Sequence, residues 1–215
     1  MNSTHTNSQM GKLTLVMPIG APASGKTTLR KFICQEKGYD SLPAEITSNL
    51  KEEIESMERQ FGTYDKIIST CRDELYQEIL DRSMAEGKKK SQRAIRRELF
   101  DKLVDFQSEV YNWRVMNPGA NIWVYLDSSN AQKGGRDYII SEFNPDRVIM
   151  LNFRREPEQL YQRAMERKGH PTFPIDSESQ KSIIDKIYPI MEFAEPDKVE
   201  NENENRNYQL HIIEF

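Results

Sequence analysis

Apolar positions along the chain follow two spacings that take turns. A short unbroken run, Leu13-Thr14-Leu15-Val16-Met17-Pro18-Ile19, lies between Gly11 and Gly20 and reads as a strand buried in a parallel sheet. A glycine-bounded turn and a helix opening near Lys26 follow. Between 41 and 62, Leu50, Ile54, Met57 and Phe61 recur at helical spacing among Glu, Lys and Arg, which predicts an amphipathic helix. Lys66 to Thr70 reads as a short strand leading into Asp73 and a helix that stops at Gly87. From Ser91 to Met116 the residues Ile95, Leu99, Leu103, Phe106, Val110 and Trp113 keep a helical period until Asn117-Pro118-Gly119 ends it. Strands over Ile122–Asp127 and Val148–Phe153 enclose a helix over 137–143. A further helix runs from Pro157 to about Lys168. Ser177-Glu178-Ser179-Gln180 has the spacing of a capping box ahead of Ile183, Ile184, Ile187 and Ile190. Beyond the polar stretch 195–207, Gln209 to Phe215 reads as a last strand.

Strands alternating with helices predict an α/β layered fold with a mainly parallel central sheet flanked by helices. The 215 residues suit one ample domain. The expected division is a disordered leader over 1–11, the domain over 12–194, a polar linker over 195–207 and a strand of the same domain over 208–215.

Composition narrows the classes. With 37% hydrophobic and 30% charged residues the chain can bury a normal core, and it lacks any run of about 18 apolar residues, which excludes a membrane span. Two cysteines and three scattered histidines supply neither a zinc site nor a disulfide framework. The reading is a reduced, cytoplasmic protein, since the polar start MNSTHTNSQM has no targeting pattern. A net charge of −4 and a pI near 5.6 argue against coating nucleic acid over the whole surface, and leave room for a local basic groove.

The strongest chemical signal is Gly20-Ala21-Pro22-Ala23-Ser24-Gly25-Lys26-Thr27, then Thr28. It matches GxxxxGK[ST] and stands between a predicted strand and a predicted helix, as a phosphate-binding loop must. Glycines let the backbone wrap a phosphate with its N–H groups inward, and the helix dipole adds to the anion site. Lys26 would bridge the β- and γ-phosphates of ATP, and the Thr27 hydroxyl would bind Mg²⁺. The chain has no Asn-Lys-x-Asp base-recognition motif and no Asp-x-x-Gly switch after the second strand, and it is short for a motor ATPase. A phosphotransferase is the leading class.

A hydroxyl acceptor needs a carboxylate at the end of the sheet facing the γ-phosphate. Asp73, after the strand 66–70, is the candidate base; it also reads as a carboxylate complementing a helix N-terminus. Asp127 ends an apolar strand and reads either as a Walker B acid for Mg²⁺ or as a turn aspartate before Ser128 and Ser129. Arg163 and Arg167 lie one helical turn apart before Lys168-Gly169-His170-Pro171, an arginine lid for developing phosphoryl charge or a solvated face partnered by Glu166. Lys88-Lys89-Lys90 with Arg93, Arg96 and Arg97 forms the dense basic cluster, which reads equally as a track for a polynucleotide backbone and as a solvated loop.

With these pieces in order, residues from about Leu13 to Glu192 resemble the kinase domain of phage-type polynucleotide 5′-hydroxyl kinases. The shared features are the loop 20–27 with Thr28-Leu29, Arg72-Asp73-Glu74, a strand ending near Asp127 with Ser129-Asn130, Arg136, the pair Arg163 and Arg167, and Phe173-Pro174-Ile175-Asp176. The resemblance implies a three-layer P-loop kinase fold with an arginine lid, ATP and Mg²⁺, Asp73 as general base, and Arg72, Asp73, Asn130 and Arg136 toward a nucleic-acid 5′ end or nucleotide-like substrate. The chain departs from that pattern in having Tyr76 where the family places an acceptor-phosphate arginine, and in the stretch 41–62, which looks like an insertion. Beside a polynucleotide kinase stand a kinase of a modified DNA base, of a nucleotide or of another small hydroxyl substrate, and a non-catalytic nucleotide-gated binding protein.

Overall fold

A computed structural model describes residues 11–34, 44–166, 176–195 and 207–215. Arg167, the segment 168–175 expected to close a lid, the leader 1–10, the polar stretch 196–206 and the side chain of Leu50 lie outside the described part.

The chain is an α/β protein built on a five-stranded sheet of order β2-β3-β1-β4-β5, comprising β1 (Leu13–Ile19), β2 (Lys66–Cys71), β3 (Ile122–Asp127), β4 (Arg147–Asn152) and β5 (Gln209–Glu214). Every pairing is parallel. The helices are α1 (Lys26–Ile33), α2 (Ala44–Phe61), α3 (Arg72–Ala85), α4 (Gln92–Met116), α5 (Lys133–Phe143), α6 (Pro157–Glu166) and α7 (Ser177–Ile187).

Strand alternation sorts the core into two faces. Leu15, Met17, Ile19, Val124, Leu126 and Val148 face α4 and α5 and pack with Phe106, Val110 and Ile140. Val16, Trp123, Tyr125, Ile149 and Leu151 face the other way, against Leu29 and Ile33 of α1 and Ile54, Met57 and Phe61 of α2. Three layers follow from the two-residue period of the strands. Within the stretch 41–62, α2 therefore lies over the sheet and covers its core through Ile54, Met57 and Phe61. Because all strands run the same way, their carboxyl ends gather at one edge of the sheet, where ligands of open α/β folds bind.

Two elements start elsewhere than the sequence pattern indicates. α5 begins at Lys133, four positions ahead of the expected 137, because the Lys133 N–H finds the Glu192 carboxylate at 2.6 Å and Gly134 and Gly135 meet nothing that a helix would exclude. The cap of α7 is Asp176, whose carboxylate accepts from the Ser179 N–H at 2.7 Å. The cap therefore stands one position ahead of the expected Ser177, whose side chain lies outside the described part, and Gln180 is buried.

Candidate functional site

The phosphate loop is shaped by two left-handed residues, Ala23 at φ 66° and Gly25 at φ 117°. Gly25 is the N-cap of α1, and only glycine adopts its conformation without strain. Gly20 is fixed by space: a Cβ there would lie 2.6 Å from Ser24 Oγ and 2.9 Å from Phe153 Cβ. Its N–H donates to the Ser129 carbonyl at 3.2 Å, tying the loop to the turn after β3. Lys26 is buried, and its ammonium donates to the carbonyls of Gly20 and Ala21, both at 2.8 Å, and to Ser24 Oγ at 3.4 Å. The loop thus encloses its own cation. Tyr125, wholly buried, donates its hydroxyl to the Lys26 carbonyl at 3.0 Å, and burial pushes its phenol well up, so it stays a donor.

Asp127 is buried at the tip of β3, opposite Cys71 at the tip of β2. Its Oδ2 has no hydrogen-bond partner among the described residues and lies 3.6 Å from Arg30 Nε. Arg30, 2% exposed, forks onto Glu74 with contacts of 2.9 and 2.5 Å. Burial pulls its guanidinium down, but Glu74, Cys71 and Asp127 more than offset this and hold it above its ordinary value. The Cys71 thiol is pushed up to about 12, by burial first and by Asp127 next. This pairing places the first turn of α3, with exposed Asp73, one residue from a clamp that begins on the phosphate-loop helix.

Arg163 reaches the loop from above: a Cβ built on Gly25 would lie 3.5 Å from its Nη2. Partial burial, and then the neighbouring Arg155, lower its pKa from the ordinary value. Helices α6 and α7 sit on the loop itself, with Ala21 and Ala23 buried against Leu160, Ala164 and Ile184.

Asn130 and Arg136 serve the turn after β3 in this structure. The Asn130 amide donates to the carbonyls of Pro18 and Leu126, and Arg136 donates to the Asn130 carbonyl at 2.7 Å. Both are buried. Thr27, Pro22 and Thr28 are half-buried on the loop and the first turn of α1, and Arg72 is exposed at the start of α3. In the basic cluster, Lys88 pairs with Glu86 at 3.2 Å and Lys90 pairs with Glu98, while Arg93, Arg96 and Arg97 are exposed.

Motif reading passes over Arg30. Its signal was its place four residues after Lys26, on the turn of α1 that meets the strand ends. It also passes over a cavity of about 350 Å³ between α4, α5 and the tips of β2 and β3, whose walls include Leu99, Phe100, Leu103, Tyr138 and Phe143.

The residues present fit a nucleotide and Mg²⁺. The loop has the left-handed backbone and enclosed lysine of an anion cradle, and Asp127 carries a buried oxygen without a hydrogen-bond partner among the described residues. No group of three or more His, Cys, Asp or Glu side chains that could hold a metal ion occurs among the described residues. Among the described residues no helix is long and apolar enough to cross a membrane.

No protein-family profile matches the chain, and no curated protein does. Among solved structures, it is similar to an unliganded sugar kinase from a Janibacter species, at 15% identity over 95% of this chain and 85% of the other, with a TM-score of 0.46. A gluconokinase from Sinorhizobium meliloti is similar at 15% identity over 96% and 83%, TM-score 0.39. Chaetomium thermophilum Kti12 in complex with ADP-AlF3 is similar at 20% identity over 94% and 89%, TM-score 0.43. The functional reading therefore rests on the chain's own loop and strand-end residues.

Proposed function

We propose that this protein is a P-loop kinase that moves the γ-phosphate of ATP to a hydroxyl of a nucleic acid, a polynucleotide 5′ end before other acceptors. The observation that carries the kinase reading is the gathering of Lys26, Asp127, Arg163 and the Asp73 turn at one edge of the sheet. A protein that only binds nucleotide needs neither an exposed carboxylate at a strand end nor an arginine over the loop. The nucleic-acid acceptor is favoured by the resemblance of Arg72-Asp73-Glu74 to the polynucleotide kinases.

On this reading the Lys26 ammonium exchanges the carbonyls of Gly20 and Ala21 for phosphate oxygens when ATP enters. Asp73 orients the acceptor hydroxyl and takes its proton as the oxygen bonds to the γ-phosphorus and the bond to the β–γ bridging oxygen breaks, leaving ADP. Arg163 meets the charge that builds on the transferring group. Thr27 and Asp127 would hold Mg²⁺, whose charge, when bound, would neutralise phosphate oxygens of the nucleotide.

The test is transfer of labelled γ-phosphate from ATP to 5′-hydroxyl DNA, 5′-hydroxyl RNA, mononucleotides and hydroxymethylated DNA. Phosphorylation of 5′ ends is expected. Labelling confined to the modified base or to mononucleotides would move the acceptor, and ATP binding with no transfer to any of the four would leave a nucleotide-gated binding protein.

A further inference from the structure

We propose that the cavity between α4 and α5 is a nucleobase pocket, which takes the base of the acceptor's 5′-terminal nucleotide while Arg72 and Arg96 hold the phosphate that follows it; this rests on the kinase reading above. Its size, about 350 Å³, is at the lower end of small-molecule sites and admits one unstacked base. It opens beside Asp127 at the carboxyl ends of β2 and β3, so a nucleotide seated there has its 5′ oxygen near the candidate phosphoryl site.

The lining is amphipathic in the way a nucleotide is. Phe100, Val104 and Tyr138 stand at the rim with 50%, 43% and 51% of their surface exposed, an apolar patch that a soluble surface ordinarily covers. Two of the three are aromatic, and a base stacks on such rings without regard to its sequence. Arg82, Lys88, Lys90 and Lys102 nearby are each ion-paired. Of the cations in this region without a carboxylate partner among the described residues, which also include Lys89, Arg93 and Arg97, Arg72 and Arg96 are the two that line the cavity. Guanidiniums left free beside an apolar slot suit an anion with a planar body. A base inside an intact duplex cannot enter without leaving its stack, so the pocket selects single-stranded or frayed 5′ ends.

The experiment measures binding of a 5′-hydroxyl thymidylate trimer and of the same trimer lacking its first base, to the full chain and to Phe100→Ala, Val104→Trp and Arg96→Gln. These side chains are exposed, so the variants are expected to fold, and thermal melting checks that they do. The intact trimer is expected to bind wild type about tenfold or more tightly than the abasic one, the scale of one base stacked on an aromatic side chain. Phe100→Ala should reduce that ratio and Val104→Trp, which fills the slot, should abolish it; if Val104→Trp does not fold, Phe100→Ala decides. Arg96→Gln should weaken both trimers and flatten their salt dependence. Equal binding of the two trimers to wild type, or a ratio unmoved by both slot variants, overturns the pocket even where 5′ ends are phosphorylated. So does a dimer that Val104→Trp dissociates, which would give the slot to a second copy of the chain. A slot-dependent preference for the intact trimer without any phosphoryl transfer would uphold the pocket and sink the kinase reading instead.

Discussion

Lys26 has two tasks that a single substitution separates. Its ammonium holds the loop carbonyls of Gly20 and Ala21 in this structure and serves the phosphates in the proposed reaction. Lys26→Ala is expected to lower transfer by roughly 10² or more, the scale of one electrostatic stabiliser, and to cost about 1–2 kcal/mol of stability through carbonyls left without a donor. Turnover at the wild-type rate by the folded variant would remove Lys26 from the chemistry. For Asp73→Asn, ATP binding should persist while transfer falls by roughly 10²; calorimetric titration beside the labelled assay separates the two, and lost ATP affinity with retained turnover would move Asp73 to the donor side. Arg30 is read as a positioning residue, since it holds Glu74 and lies beside Asp127. Arg30→Ala leaves the buried Asp127 carboxylate without its cation, and a loss of about 3 kcal/mol in urea unfolding is expected, as for other broken buried pairs. A loss below about 1 kcal/mol would mean that water already reaches Asp127.

At the level of elements, β5 contributes a half-buried titratable group. His211 packs its ring 4.3 Å from that of Phe61, and its Nε2 has no hydrogen-bond partner among the described residues. Burial, and then Arg147, lower its pKa from the ordinary 6.5. As the pH falls through about 6.5 the unfolded chain takes up a proton that the folded chain refuses, so stability drops until the folded imidazole also titrates. Melting temperature should therefore fall on acidification through that range, and His211→Phe should flatten this part of the curve; an unchanged slope would place the acid sensitivity elsewhere. Helix α2 is bound to the sheet in the same region. Met57, 1% exposed, packs among Trp123, Phe61 and Ile54, and Met57→Ala should cost roughly 2–5 kcal/mol.

Across the whole molecule, α6 and α7 rest on the phosphate loop through Ala21 and Ala23, and Tyr161 of α6 donates to Asp185 of α7. Nucleotide at the loop should slow amide exchange in both helices together with α1, because all three pack on the cradle that the phosphates fill. Protection confined to α1 would show that the two helices move independently of the loop. The basic surface behaves as a unit with unequal parts. Lys88 and Lys90 already have carboxylate partners, so replacing Lys88, Lys89 and Lys90 should change the salt dependence of oligonucleotide phosphorylation less than replacing Arg93 and Arg96. The reverse order would put the polynucleotide track on the lysine loop.

Much of this molecule is written in short-range pattern. Leu13–Ile19, Ile122–Asp127 and the helix from Ser91 to Met116 are legible because an unbroken apolar run or a helical period needs only neighbours to declare itself, and GxxxxGK[ST] is legible because its glycines answer local demands of turn and space. α5 starts early because of Glu192, some sixty residues away, which no local propensity announces, whereas α7 takes Asp176 as its cap over Ser177, a choice between two residues that cap about equally well. The tertiary structure alone decided that Arg30 would bridge Glu74 and Asp127, that Asn130 and Arg136 would be occupied by a turn, and that α4 and α5 would leave a cavity at the strand tips. Those facts depend on the strand order β2-β3-β1-β4-β5. That order places residues distant in the chain at one edge of a sheet, and buried charge acquires its meaning only from the partners found there.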